Sequence, residues 1–165
     1  MRGSNSMNVN IISVGKIKEK YLESAIKEYA KRISKFSKIN FIELKDEPLN
    51  YKDSSALDLK VKQTEGKRII SSIPKGSFVI VLDLKGEEIT SPQLAQKFTY
   101  INNYHSSSIT FIIGGSLGLS DEVVKFSDYN LCFSKMTFPH QLMKVILLEQ
   151  IYRAFKINNN ETYHK

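Results

Sequence analysis

The chain is predicted to fold as an α/β protein with a mostly parallel sheet and helices on both faces. Three observations predict this. Strand-like apolar runs alternate about five times with stretches of helical spacing, the order of a parallel sheet built from crossover units. Two of the runs, Phe78–Leu82 and Ile109–Ile113, are apolar nearly throughout, as strands covered on both faces are. Between the first two strands, Leu22, Ile26, Tyr29, Ile33 and Phe36 fall on one helical face with lysines opposite. At 165 residues, one domain is expected, burying about 70% of its unfolded surface.

The first six residues, Met1-Arg2-Gly3-Ser4-Asn5-Ser6, read as an expression-tag remnant, which makes Met7 the natural start and residues 7–165 the domain. Val9–Val14 reads as a strand ending at Gly15, residues 19–36 as a helix, and Ile39–Leu44 as a second strand. Asp46-Glu47-Pro48 breaks that strand, and the polar stretch to Ser55 is the candidate mobile loop. A helix follows over 56–73, weakened by Gly66. After Pro74-Lys75-Gly76 comes the strand Phe78–Leu82. Ser91-Pro92 supplies an N-cap and a first-turn proline for a helix to about Tyr104. Ile109–Ile113 is a strand, Ser120-Asp121-Glu122 caps a short helix, and Asn130–Ser134 is the last strand.

Pro139 fits the first turn of a final helix running to Lys156, where its missing N–H costs nothing. Leu142, Val145, Ile146, Leu148, Ile151, Tyr152 and Phe155 form one side of it, and Met143, Leu147 and Ala154 widen the stripe. A helix apolar nearly all round needs partners on more than one face. One face is expected to pack on the sheet and the other on a second copy of the chain, with Leu148 a candidate interface position.

The charge excess is basic. The net charge of +7 becomes +6 once Arg2 is set aside with the leader. The excess gathers near the front, where Lys16, Lys18, Lys20, Lys27, Lys31, Arg32, Lys35 and Lys38 face only Glu19, Glu23 and Glu28. Such a surface suits a polyanion, as well as a plain solvated helix face. The single cysteine, Cys132, excludes an internal disulfide and a cysteine metal cluster, and its apolar neighbours make it a core residue. No apolar run reaches the length of a membrane span and no secretory pattern opens the chain, so a cytoplasmic protein without a membrane partner is expected.

Ligands of open α/β sheets bind beyond the carboxyl ends of strands. Three such ends carry suggestive residues: Gly114-Gly115-Ser116-Leu117-Gly118, then Leu82-Asp83-Leu84, then Phe133–Phe138. The glycine run lacks the lysine of a phosphate-binding loop and does not open the first βα unit, so it reads as either a tight turn or a ligand contact. Asp83 orients a ligand hydroxyl or caps a turn. The irregular stretch 133–138 leaves backbone groups in need of partners, which an adenine edge would satisfy. His140 falls at a helix N-terminus, where the dipole disfavours imidazolium. Arg153 interrupts the apolar helix, as an interface ion-pair partner or an RNA contact. Tyr163-His164-Lys165, as a chain end, is expected to fray. No Ser/His/Asp set, no His-x3-His and no paired carboxylates in a glycine-lined loop are found, which disfavours hydrolysis and metal catalysis.

Taken together, Val-Gly-Lys-Ile-Lys-Glu-Lys-Tyr at 14–21, Ile-Gly-Gly-Ser-x-Gly at 113–118, Phe-Ser-Lys-Met-Thr-Phe-Pro-His-Gln at 133–141, Glu-Gln-x-Tyr-Arg-Ala-Phe-Lys-Ile at 149–157 and the terminal Tyr-His-Lys resemble the ribosomal large subunit methyltransferase H family, over Met7–Lys165. That family belongs to the knotted SPOUT methyltransferases. The resemblance implies a C-terminal trefoil knot, a homodimer, S-adenosylmethionine as cofactor and methylation of N3 of a pseudouridine in 23S ribosomal RNA of the large subunit, with no metal. It places cofactor contacts on Leu82, Gly114 and the run Phe133, Ser134, Lys135, Met136, Thr137 and Phe138. Leu117 departs from the family pattern, in which Asn is expected. For methyl transfer, His164 is the candidate base, Tyr163 a stacking residue, and Arg153 or Lys165 a phosphate contact. A non-catalytic α/β RNA-binding module and a small-molecule-binding regulator are the competing readings.

Overall fold

A computed structural model describes residues 7–48 and 55–165. The leader and most of the polar loop after Pro48 lie outside the described residues. Ten elements follow in order: β1 Asn8–Val14, α1 Lys20–Ile33, β2 Lys38–Leu44, α2 Ser55–Ser72, β3 Phe78–Glu88, α3 Ser91–Tyr104, β4 Ser108–Ile113, α4 Asp121–Phe126, β5 Tyr129–Cys132 and α5 His140–Asn158. The strands form one sheet in the order β2-β1-β4-β3-β5, with every pairing parallel. The expected α/β architecture is present, and α1, α3 and α5 pack on one face while α2 and α4 pack on the other.

The sheet is apolar on both sides because its central strands are. Ile11, Ile109, Phe111 and Ile80 enter the core under α1, α3 and α5, whereas Ile12, Ile112, Val79 and Val81 enter the one under α2 and α4. The alternation is the strand period of two, with apolar residues in both phases. Helix α5 lies between α1 and α3. Phe155 stacks on Phe36 at 5.8 Å and meets Phe98 edge-on at 5.6 Å, which fixes the helix at its C-terminal end.

Three boundaries and one glycine differ from expectation. Thr90, not Ser91, caps α3: its hydroxyl accepts the Gln93 N–H at 3.2 Å and the Gln93 side chain accepts the Thr90 N–H at 2.8 Å. The Ser91 hydroxyl instead donates to Gln150 on α5 at 2.6 Å. Strand β3 runs six residues past Leu82, because Glu87 and Glu88 resume pairing with Leu131 and Cys132 after an irregularity. Gly86 makes this crossing possible, since a Cβ there would lie 2.8 Å from the Asn130 and Leu131 backbone. Strand β5 ends at Cys132, so Phe133 and Ser134 leave the ladder. Gly66, expected only to weaken α2, is where that helix meets the Ser120 side chain at the start of α4.

The α5 stripe divides differently from the expectation as well. Leu148 is fully buried inside the subunit, with Leu147, Ile151 and Ala154, so it is a core residue and not an interface one. Helical periodicity gave the width of the stripe without saying which part the sheet would take. Leu142, 37% exposed, and the half-buried Val145 and Ile146 remain on the outer side. Lys144 is buried among the apolar residues; its ammonium donates to the Ser13 hydroxyl at 3.2 Å and pairs with Glu43 at 3.3 Å. A buried charge requires such partners.

Candidate active site

The parallel strands end on one edge of the sheet, and there the carboxyl ends of β3, β4 and β5 enclose a cavity of about 680 Å³. Its walls are Leu82-Asp83-Leu84 after the paired part of β3, Ile113 to Leu119 after β4, Leu131 to Ser134 at the end of β5, and Met136 to His140 with Met143 leading into α5. A cavity of this volume, mostly apolar with a few polar groups, is of cofactor size.

The three strand ends singled out in the sequence therefore converge. Leu82, Gly114, Phe133, Ser134, Met136, Thr137 and Phe138 line the cavity; Lys135 does not. Asp83 lines it too and accepts the Lys85 N–H at 3.3 Å, capping the turn. His140 sits at the mouth as the first residue of α5, its Nε2 3.8 Å from where a Cβ on Gly15 would stand. Gly15 has φ of +91°, so the chain turns sharply out of β1 at this point. The Gln141 side chain holds the turn by donating to the Lys16 carbonyl at 3.2 Å, which brings the exposed Lys16 and Lys18 beside the mouth.

The glycine run forms a closed turn. Gly118 donates to the Gly115 carbonyl at 3.0 Å and adopts φ of +81° with open space around its Cα. Gly114 is a glycine for a reason other than cofactor approach. A Cβ there would come within 2.9 Å of the Gly118 carbonyl carbon and 3.0 Å of Leu119 Cδ2. The small residue lets the turn close on itself. Leu117 faces the cavity from within this turn. In the loop after β5, Cys132 Sγ donates to the Ser134 carbonyl at 3.1 Å and the Met136 N–H goes to the Ser134 hydroxyl at 3.0 Å. The rest of this non-helical backbone runs along the cavity wall. A glycine-rich turn opposite an irregular backbone, with apolar walls between, fits an adenosyl group.

The C-terminal tail is ordered, contrary to expectation. Tyr163 packs edge-on against Tyr152 at 4.9 Å, lies under the Arg153 guanidinium at 4.7 Å and donates its hydroxyl to Glu149 at 3.1 Å. Arg153 makes an i, i+4 ion pair with Glu149 and contacts His164 Nδ1 at 3.2 Å. Arginine only donates, so Nδ1 is the acceptor where this contact is a hydrogen bond. The Glu149 hydrogen bond raises the Arg153 pKa, whereas burial first and Glu149 second raise that of Tyr163. The structure thus brings Arg153, Tyr163 and His164 into one cluster. Arg153, beside which Tyr163 and His164 pack, lies ten residues along α5 from Met143 in the cavity wall, however, which at the helical rise is about 15 Å.

Two charged residues near the site were not singled out in the sequence. Lys144 ties the first turns of α5 to β1 and β2. Glu65, on α2, is buried directly behind Gly115. The signal for Glu65 was its place between Val61 and Ile69 at four-residue spacing, a lone carboxylate on the inner side of α2.

Comparison with known proteins agrees with this geometry. The family model described as predicted SPOUT methyltransferase matches residues 7–164. Proteins named ribosomal RNA large subunit methyltransferase H from Clostridium perfringens (strain 13 / Type A) and Clostridium botulinum (strain Alaska E43 / Type E3) are each 55% identical over 159 residues, covering 96% of this chain and 100% of theirs. A putative one from Methanococcus maripaludis (strain C5) is 56% identical with the same coverage. Among solved structures, a probable methylase family protein from Haemophilus influenzae Rd KW20 aligns with TM-score 0.54 at 13% identity, over 96% of this chain and 71% of that one. A tRNA (m1G37) methyltransferase from Aquifex aeolicus aligns with TM-score 0.53 at 12% identity, over 88% and 69%. The fold is thus that of the SPOUT methyltransferases. Within that class, the chain belongs to the ribosomal RNA large subunit methyltransferase H family. Among the described residues no group of three metal-ligating side chains occurs, and no helix is long and apolar enough to cross a membrane.

Proposed function

We propose that the domain of residues 7–165 transfers a methyl group from S-adenosylmethionine to N3 of a pseudouridine in 23S ribosomal RNA, and that it does so as a homodimer in the cytoplasm. The observation that carries the reading is the cavity at the ends of β3, β4 and β5, lined by most of the residues the family resemblance assigns to the cofactor. Leu82, Gly114, Phe133, Ser134, Met136, Thr137 and Phe138 hold the adenosyl and methionyl parts, and Lys135 stands outside the wall, free to meet RNA phosphate. The bound cofactor supplies a methyl group already activated on sulfonium, so the chain's task is position and electrostatics.

The dimer follows from distance. Arg153, with Tyr163 and His164 packed beside it, stands too far from its own cavity to act there. A second copy packed antiparallel on Leu142, Val145 and Ile146 brings its cluster toward the first copy's cavity mouth. The uracil ring stacks on Tyr163. As the N3 proton passes to a solvent water, negative charge spreads onto the flanking carbonyl oxygens, where His164 Nε2–H and the Arg153 guanidinium donate. With Nδ1 held by Arg153, His164 serves better as a donor than as the base. Lys16 and Lys18 at the mouth, with Lys20, Lys31 and Lys35 of the α1 face, attract the RNA backbone.

Titration calorimetry with S-adenosylmethionine tests the cofactor site, and sedimentation tests the dimer. Binding with one cofactor per cavity and a dimer at micromolar concentration are expected. No binding heat removes the site assignment, and a monomer removes the composite site.

A further inference from the structure

One buried ionisable group near the cavity has no part in the chemistry above. Glu65 is 6% exposed, and its carboxylate lies against the outer side of the glycine turn. A Cβ on Gly115 would stand 3.3 Å from Glu65 Oε2 and 3.4 Å from Val14 Cγ1, so this carboxylate is one residue's thickness behind the cavity wall. Oε1 accepts the Glu47 N–H at 3.1 Å, a bond that favours the charged form. Glu47 is in turn ion-paired with Arg68, which also donates to the Lys45 carbonyl at 3.1 Å. Charged groups near it are Asp46 and Glu47 from the segment after β2 and Arg68 from its own helix. Burial, then the two neighbouring carboxylates, push its pKa up, while the Glu47 N–H and Arg68 oppose them. Hydrophobic packing alone would have placed a Leu or Met here at lower cost.

We propose that the Glu65 carboxylate is a specificity-determining group that makes the cavity discriminate between the sulfonium cofactor and its neutral thioether product. The inference rests on the cofactor reading above. The two ligands differ at the reacting centre by one positive charge and one methyl group. A fixed negative charge behind Gly115 stabilises the cation and leaves the thioether nearly unaffected. It therefore favours loading of the methyl donor and release of the spent cofactor. At an effective dielectric near 20, two unit charges separated by a residue or two attract strongly enough to change a binding ratio on the order of tenfold. Gly115 matters to this effect because a side chain there would push the carboxylate away.

The test is the ratio of dissociation constants for S-adenosylmethionine and S-adenosylhomocysteine, measured by calorimetry on the wild-type protein and on Glu65→Gln. Glutamine keeps an oxygen for the Glu47 N–H, so the segment after β2 stays tied, and S-adenosylhomocysteine binding reports an intact cavity. The expected result is a loss of S-adenosylmethionine affinity of about tenfold with S-adenosylhomocysteine affinity within twofold of wild type. Equal weakening of both ligands assigns Glu65 a purely structural role and overturns the inference, as does an unchanged ratio. Failure of the wild-type protein to bind either ligand overturns the cofactor reading itself, and this inference with it.

Discussion

Replacing Tyr163 with Ala tests whether the C-terminal tail is built into the subunit. The side chain has three partners, each with a typical magnitude. The edge-on contact with Tyr152 at 4.9 Å is worth about 1 kcal/mol. The Arg153 guanidinium over the ring, near the surface, adds about 0.5–1 kcal/mol. The hydroxyl bond to the Glu149 carboxylate at 3.1 Å adds about 1 kcal/mol, at the low end for a charged acceptor because the pair is partly hydrated. The loss should be about 2–3 kcal/mol, which for a chain of this size lowers Tm by roughly 5–10 °C. Tyr163→Phe keeps both ring contacts and should lose about 1 kcal/mol. Calorimetric or circular-dichroism melts of the three proteins at equal concentration provide the measurement. A Tyr163→Ala melt within 1 °C of wild type would mean that the tail does not dock in solution, and the argument from the Glu149 cluster would fail.

Further predictions follow from the same geometry. Leu142→Glu places a charge on the open side of α5 and should yield a folded monomer by sedimentation, whereas Leu148→Lys buries an unpaired ammonium in the core and should prevent folding; a folded Leu148→Lys monomer would reverse the assignment of the two faces. Gly114→Val should abolish cofactor binding and cost about 1–3 kcal/mol of stability, because its Cβ meets the Gly118 backbone and Leu119; unchanged affinity in calorimetry with an intact fold contradicts the site. His164→Ala should slow single-turnover methyl transfer by roughly 10²–10³, as loss of a donor to a developing anion does, and His164→Gln, which retains an N–H, should recover much of it; a Gln variant as slow as Ala would make the histidine a base. Burial holds the Glu65 carboxyl above the ordinary 4.5, so it binds its proton more readily in the folded state. Its contribution raises stability as pH falls through that window and lowers it as pH rises. Glu65→Gln should remove this slope in urea melts across the acid range.

What could be read in the chain depended on the range of the interaction that decides each feature. The elements were legible because their signals are local: continuous apolar runs for β3 and β4, and helical spacing for α1 and α5. The three cavity walls were legible for a related reason, since a parallel sheet gathers its strand carboxyl ends on one edge. Long-range pairings were not legible. Glu87 and Glu88 join β3 because β5 returns beside them, and nothing within 83–88 announces that. Tyr163 is ordered by Glu149 and Tyr152, so a terminal position alone pointed the wrong way. The Thr90 cap is different: Thr-x-x-Gln is a capping signal present in the sequence, and the adjacent Ser-Pro pair obscured it. Leu148 shows the limit of periodicity, which gives a stripe its width but not its neighbours.

The central claim is methyl transfer to a defined base, and the product nucleoside tests it most directly. Ribosomes lacking the modification should be incubated with the protein and S-adenosylmethionine, and their 23S RNA digested to nucleosides for mass spectrometry. The account predicts a single new N3-methylated pseudouridine, formed only with both the protein and the cofactor present. Methylation of another base or position, or no methylation by a dimer that binds the cofactor, would contradict it.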